Sequence, residues 1–85
     1  MPVYLFYTKD TPGESQMRDL GEQLRHSQVE YELIEADSEH GAALSENYDI
    51  LARPAVVLAA GDGTLINQWQ HELPSASDIS YWAHR

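Results

Sequence analysis

Among the 85 residues there is no cysteine. The chain therefore offers no thiolate nucleophile and no sulfur ligand, and thiol–disulfide exchange is closed to it. Basic residues are scarce as well. Five Lys and Arg stand against fourteen Asp and Glu, a formal net charge of −9. Nucleic-acid binding draws on positive surface that displaces counterions from phosphates, so a nucleic-acid partner is excluded. The acidity reads as a solubilising surface, or as one suited to a basic partner. Long apolar runs are also missing. None approaches the roughly 18 residues of a membrane span, so no membrane insertion is expected. The opening stretch MPVYLFYTKD has only a short apolar segment, no basic residue before it and no small-residue cleavage pattern. No signal peptide is expected there, and a cytoplasmic protein is.

What remains is enough for one small core. Apolar residues make up 42% of the chain, with two Trp and five Tyr. A domain of this length buries about 60–65% of its unfolded surface, so a single domain over residues 1–85 is expected, held by packed side chains alone.

Val3 to Thr8 is apolar and β-branched without clean alternation, as in a central strand covered on both faces. Lys9 to Gly13 reads as a turn. Glu14 to Ser27 reads as a helix, with Met17, Leu20 and Leu24 on one stripe. Val29 to Ala36 alternates, placing Val29, Tyr31 and Leu33 on one face of a strand and Glu30, Glu32 and Ile34 on the other. A weaker helix follows over Glu39 to Tyr48, with Gly41 inside it and Ala42, Ala43, Leu44 and Tyr48 as its core candidates. Pro54 to Ala60 and Thr64 to Gln70 read as strands joined by the Gly61-Asp62-Gly63 hairpin. Pro74-Ser75 opens a last helix bearing Ile79 and Trp82. The order is β-α-β-α-β-β-α, an α/β arrangement.

Several residues invite a chemical reading. Thr11-Pro12-Gly13-Glu14 fits a capping box, with Thr11 as N-cap, Pro12 at N1 and Glu14 reaching back to the Thr11 amide. It also fits a ligand held by the Thr11 hydroxyl and the first-turn amides, although Asp10 and Glu14 would oppose an anion. Ser75 and Asp78 fit an N-cap with an acidic N3 residue. Four histidines, His26, His40, His71 and His84, are scattered without metal-ligand spacing, so no metal site is expected. Trp69 and Trp82 read as core residues.

Four segments in order resemble the thioredoxin and glutaredoxin families: YTK at Tyr7 to Lys9, VEYELIEAD from Val29, RPAVVL at Arg53 to Leu58, and GDGTLINQW from Gly61. The likeness spans nearly the whole chain. It implies a thioredoxin-like fold, with a mixed four-stranded sheet and helices on both faces. Those families keep a Cys-Pro-X-Cys segment where this chain has Thr11-Pro12-Gly13-Glu14; the preceding loop is about one residue shorter, so either Glu14 or Ser15 matches the second cysteine, and both thiols are missing in either case. The resemblance further implies a cis Pro54, with the Arg53 backbone facing the first helix and able to pair with an extended peptide or glutathione. It also matches Ser77 and Asp78 to the polar pair that holds the γ-glutamyl end of glutathione. The function expected is a redox-inactive module recognising an extended peptide-like partner through Thr11, Pro12, Arg53 and Pro54, with no cofactor. The alternative is a glutathione or small-thiol binder that uses the Thr11 hydroxyl as glutathione transferases use theirs.

Overall fold

The apolar run Val3–Tyr7 becomes β1, an interior strand, because it can satisfy both edges and bury both faces. It pairs in parallel with β2 (Glu32–Glu35), Leu5 lying opposite Leu33. On its other side it pairs antiparallel with β3 (Ala55–Ala59), Leu5 opposite Val56. β4 (Leu65–Trp69) returns antiparallel to β3, giving a four-stranded sheet in the order β2-β1-β3-β4. The computed structural model describes residues 2–70 and 72–84; His71 lies outside them.

Three helices cover the sheet: α1 (Pro12–His26), α2 (Glu39–Asn47) and α3 (Ala76–Ala83). Alternation along β1 and β3 divides the core in two. Val3, Leu5, Val56 and Leu58 face Met17, Leu20 and Leu24 of α1 and Ile79 of α3. Phe6, Ala55, Val57 and Ala59 face Tyr48, Ile50 and Leu44 on the α2 side. Trp69 and Trp82 pack against the first cluster. The architecture is thus the mixed sheet with helices on both faces, in the expected β-α-β-α-β-β-α order.

Element ends differ from the sequence expectation. α1 begins at Pro12, two residues before Glu14, since proline is tolerated in a first turn whose amides lack partners anyway. β2 is only four residues long, although Val29, Tyr31 and Leu33 do share one face and Ile34 the other. In α2 the expected core residues Ala42 and Ala43 are exposed, and Gly41 and Ser45 are buried in their place. The helix turns its smallest residue to the sheet: a Cβ on Gly41 would stand 2.0 Å from the Glu35 carbonyl oxygen.

Two helix ends close with Schellman hydrogen bonds on residues other than glycine. After α1, Val29 N–H donates to Leu24 O at 2.9 Å and Gln28 N–H to Arg25 O at 3.1 Å, with Gln28 at φ 60°. After α2, Ile50 N–H donates to Ser45 O at 2.8 Å, with Asp49 at φ 56°. In β4 a bulge opposite Leu58 and Ala59 resets the alternation, which turns both Ile66 and Trp69 toward the α1 and α3 side.

Candidate functional site

Two chain segments meet where β1 ends and β3 begins. The first is the Thr8–Glu14 turn into α1. Its geometry corrects the capping box expected at Thr11. Thr11 is the N-cap residue, but its side chain makes no cap hydrogen bond. The hydroxyl donates instead to Thr8 O at 2.6 Å. Glu14 reaches one residue further back than expected, its Oε1 accepting from the Asp10 amide at 3.0 Å. Asp10 can aim that amide because it adopts φ 62°, a left-handed conformation that aspartate tolerates better than most residues.

The other carboxylate oxygen of Glu14 takes a forked bond from Arg18, with Nε at 3.1 Å and NH2 at 2.9 Å. The Asp10 amide, and after it the Arg18 guanidinium, hold the Glu14 carboxyl below its ordinary value of 4.5. Arg18 also lies over the Tyr7 ring, 5.7 Å from its centroid. Glu14 is therefore occupied in tying the turn to the helix.

The second segment is the loop entering β3. The Arg53–Pro54 peptide bond is cis. The Pro54 ring packs on the first turn of α1: a Cβ on Gly13 would stand 3.2 Å from Pro54 Cδ. Thr11, Pro12 and Pro54 are thereby brought together, with Gly13 as the contact that permits it. The Arg53 side chain leaves this junction and donates from NH1 to Asp37 Oδ1 at 2.7 Å, ahead of α2. Among the described residues no backbone hydrogen bond engages the Arg53 amide or carbonyl.

The remaining candidates fall elsewhere. Ser75 and Asp78 form the true capping box of the chain: Asp78 N–H donates to Ser75 Oγ at 3.1 Å, and Ser75 N–H to Asp78 Oδ2 at 3.2 Å. Asp78 is thus committed to its own helix. Ser77 is exposed on the first turn of α3, and no hydrogen bond among the described residues joins it to Thr11 or Arg53. No metal-holding cluster occurs among the described residues. No helix among them is long and apolar enough to cross a membrane.

Sequence reasoning missed three contributors. Gly13 reads as turn material, although the Pro-Gly pair at a helix start is a visible signal. Asp37 precedes the second helix with no pattern that assigns it a role. Gln70 reads as the end of a strand, yet its Oε1 accepts from both the Leu51 amide, at 2.9 Å, and the Ala52 amide, at 3.1 Å. No local pattern announces that pairing.

The fold is thioredoxin-like. Solved structures similar to the whole chain include thioredoxin 1 of Thermosipho africanus, with a TM-score of 0.74 at 12% identity, covering 100% of this chain and 92% of that one. A structure described as a malarial protein gives 0.73 at 14% identity, covering 98% and 92%. A thioredoxin from Thermus thermophilus gives 0.64 at 16% identity, covering 98% and 71%. No protein-family model matches the chain, and no curated protein matches it significantly.

Proposed function

We propose that this chain is a thioredoxin-fold interaction module without redox chemistry, binding an extended segment of a protein partner beside Arg53 and Pro54. The observation that carries the reading is the unengaged Arg53 backbone. An amide and a carbonyl left without partners next to a strand start provide the two bonds by which an extended chain adds itself to a structure. The surroundings favour recognition over catalysis. The Thr11 hydroxyl already donates to Thr8 O, and Glu14 is bonded to Asp10 and Arg18. Neither is free to activate the other. The same hydroxyl engagement, with Asp78 committed to its cap, counts against glutathione use.

Amide chemical-shift mapping of the labelled chain tests this with two probes, glutathione and the uncharged extended peptide acetyl-Thr-Val-Thr-Val-Thr-Val-amide. The expected result is peptide-induced shifts at Gly13, Arg53 and Ala55, with slower hydrogen exchange at the Arg53 amide. Shifts from glutathione alone, clustered at Thr11, Arg53 and Ser77, would replace the reading by the small-thiol one. No shifts from either probe at millimolar concentration would remove both.

A further inference from the structure

Leu51 is 92% exposed, although its neighbour Ile50 is buried in the core. A single exposed leucine on a loose loop calls for no function. This one does not sit on a loose loop. The Gln70 side-chain Oε1 accepts from the Leu51 and Ala52 amides at 2.9 and 3.1 Å, and its NH2 group donates to Asp49 O at 3.2 Å. Gln70 also donates to Gln68 Oε1, and Gln68 in turn donates to Tyr48 O at 3.4 Å. Ile50 N–H is anchored to Ser45 O at 2.8 Å. The backbone from Tyr48 to Ala52 is therefore held by two side chains projecting from the end of β4, and the Leu51 side chain is what that platform presents.

Beside it opens a groove of about 490 Å³ lined by Leu51, Ala52, Gln68 and Gln70. Ala52 leads directly into Arg53, so the groove continues the backbone at which the partner segment is proposed to pair. The charges flanking it in the chain are Asp49 and Glu72, both exposed, while Arg53 is already bonded to Asp37. No lysine or arginine of this stretch is left to repel a cation, and the chain as a whole carries a net charge of −9.

We infer that Leu51, presented on the Gln70 side chain, is the apolar anchor of the interaction surface, and that the partner is a basic extended segment carrying an apolar side chain that packs on it. The inference rests on the pairing proposed at Arg53 and gives that partner its chemistry. Pre-ordering is the physical gain: a loop fixed before association loses little conformational freedom on binding, so burial of the leucine appears in the affinity.

The test uses a second peptide, acetyl-Thr-Lys-Thr-Leu-Thr-Lys-amide, and its variants in which Ser replaces Leu or Glu replaces Lys. The Lys–Leu peptide is expected to shift the Leu51 and Ala52 amides and the Gln68 and Gln70 side-chain NH2 groups. Leu51→Ser in the protein, or Ser for Leu in the peptide, should each weaken binding about tenfold. The Glu peptide should not bind measurably. Leu65→Ser, a change at another exposed apolar residue of β4, should leave the affinity unchanged. Gln70→Ala should speed hydrogen exchange at Leu51 and Ala52 and weaken the Lys–Leu peptide while leaving Leu65-side amides unshifted. Shifts at Gly13 and Arg53 with no dependence on Leu51 would overturn the inference and leave the pairing intact. Equal weakening by Leu51→Ser and Leu65→Ser would overturn it as well. Absence of Arg53 shifts with the uncharged Thr-Val peptide would overturn the pairing itself.

Discussion

Replacing Gly41 by Ala sets local and tertiary physics against each other. In an exposed helix interior the change would stabilise by about 1 kcal/mol, since alanine loses less backbone freedom than glycine. Gly41 is not exposed. Its added Cβ would lie 2.0 Å from Glu35 O and 2.9 Å from Glu35 C, both backbone atoms, where ordinary contact begins near 3.4 Å. α2 would have to withdraw from the end of β2 by about 1.4 Å, the shortfall between those distances. The carbonyl cannot swing aside cheaply, because it accepts from Ser38 N at 3.0 Å and from the Ser38 hydroxyl at 2.6 Å.

Withdrawal would also stretch the N-cap bond from Gly41 N–H to Ser38 Oγ, now 2.9 Å. Overpacking of this kind costs about 1–3 kcal/mol, and a lost N-cap about 1 more. Net of the propensity gain, a destabilisation of about 1–3 kcal/mol is expected. For a domain of this size that lowers Tm by roughly 5–20 °C. Thermal and urea unfolding followed by far-UV circular dichroism measure it. Gly61→Ala, whose Cβ would meet nothing within 4 Å, serves as the control. A Gly41→Ala protein as stable as the wild type, or more so, would refute the seating of α2 on Glu35. The same displacement should reach the candidate site, since Asp37, the partner of Arg53, immediately precedes the Ser38 cap.

Three further outcomes are expected. Gln28→Gly should stabilise by about 0.5–1 kcal/mol in urea unfolding, because Gln28 bears a left-handed conformation that glycine adopts without a Cβ clash. Glu14→Gln should lower Tm at neutral pH. Because the folded Glu14 carboxyl titrates below its ordinary 4.5, its stabilising contribution is complete above that value and lost as pH falls through the lower folded one; the Tm gap between wild type and variant should therefore close on acidification below pH 4.5, and a gap independent of pH would sink the assignment. Thr11→Cys should place a thiol at the α1 N-terminus with a pKa below the free value of about 8.5, and lower again when Glu14→Gln removes the nearby negative charge; an unshifted thiolate titration would show that this turn exerts no such field.

Much of the fold is local enough to be read from the chain. The stripe Met17, Leu20 and Leu24 defines a helix face by period, and the run from Val3 defines a strand buried on both sides by its lack of period. Gly61-Asp62-Gly63 marks the hairpin because its last position must reach φ 90°, where only glycine is unstrained. The absence of cysteine removes thiol chemistry without any structure. Where sequence reading failed, the cause lay in local backbone geometry or in contacts between segments. A capping box can be drawn equally well on Thr11-Glu14 and on Ser75-Asp78, and only the backbone entering each helix selects the second: the left-handed Asp10 offers its own amide to Glu14 first.

Gly41 looks like a flaw in a weak helix until Glu35 O is seen against it. Ala42 and Ala43 look like core until the side of α2 that meets the sheet is known. The candidate site divides the same way. Its cysteine-free turn and its Arg53-Pro54 step are legible as residues. The packing of Pro54 on Gly13, the diversion of Arg53 to Asp37 and the support of Leu51 by Gln70 are not. Each joins residues at least 16 positions apart in the chain, and such contacts leave no period or motif behind. Sequence alone determined that this chain carries no thiol and which elements it forms; tertiary structure decided which backbone and side-chain groups are left unengaged, because that depends on which donors and acceptors the fold has already used.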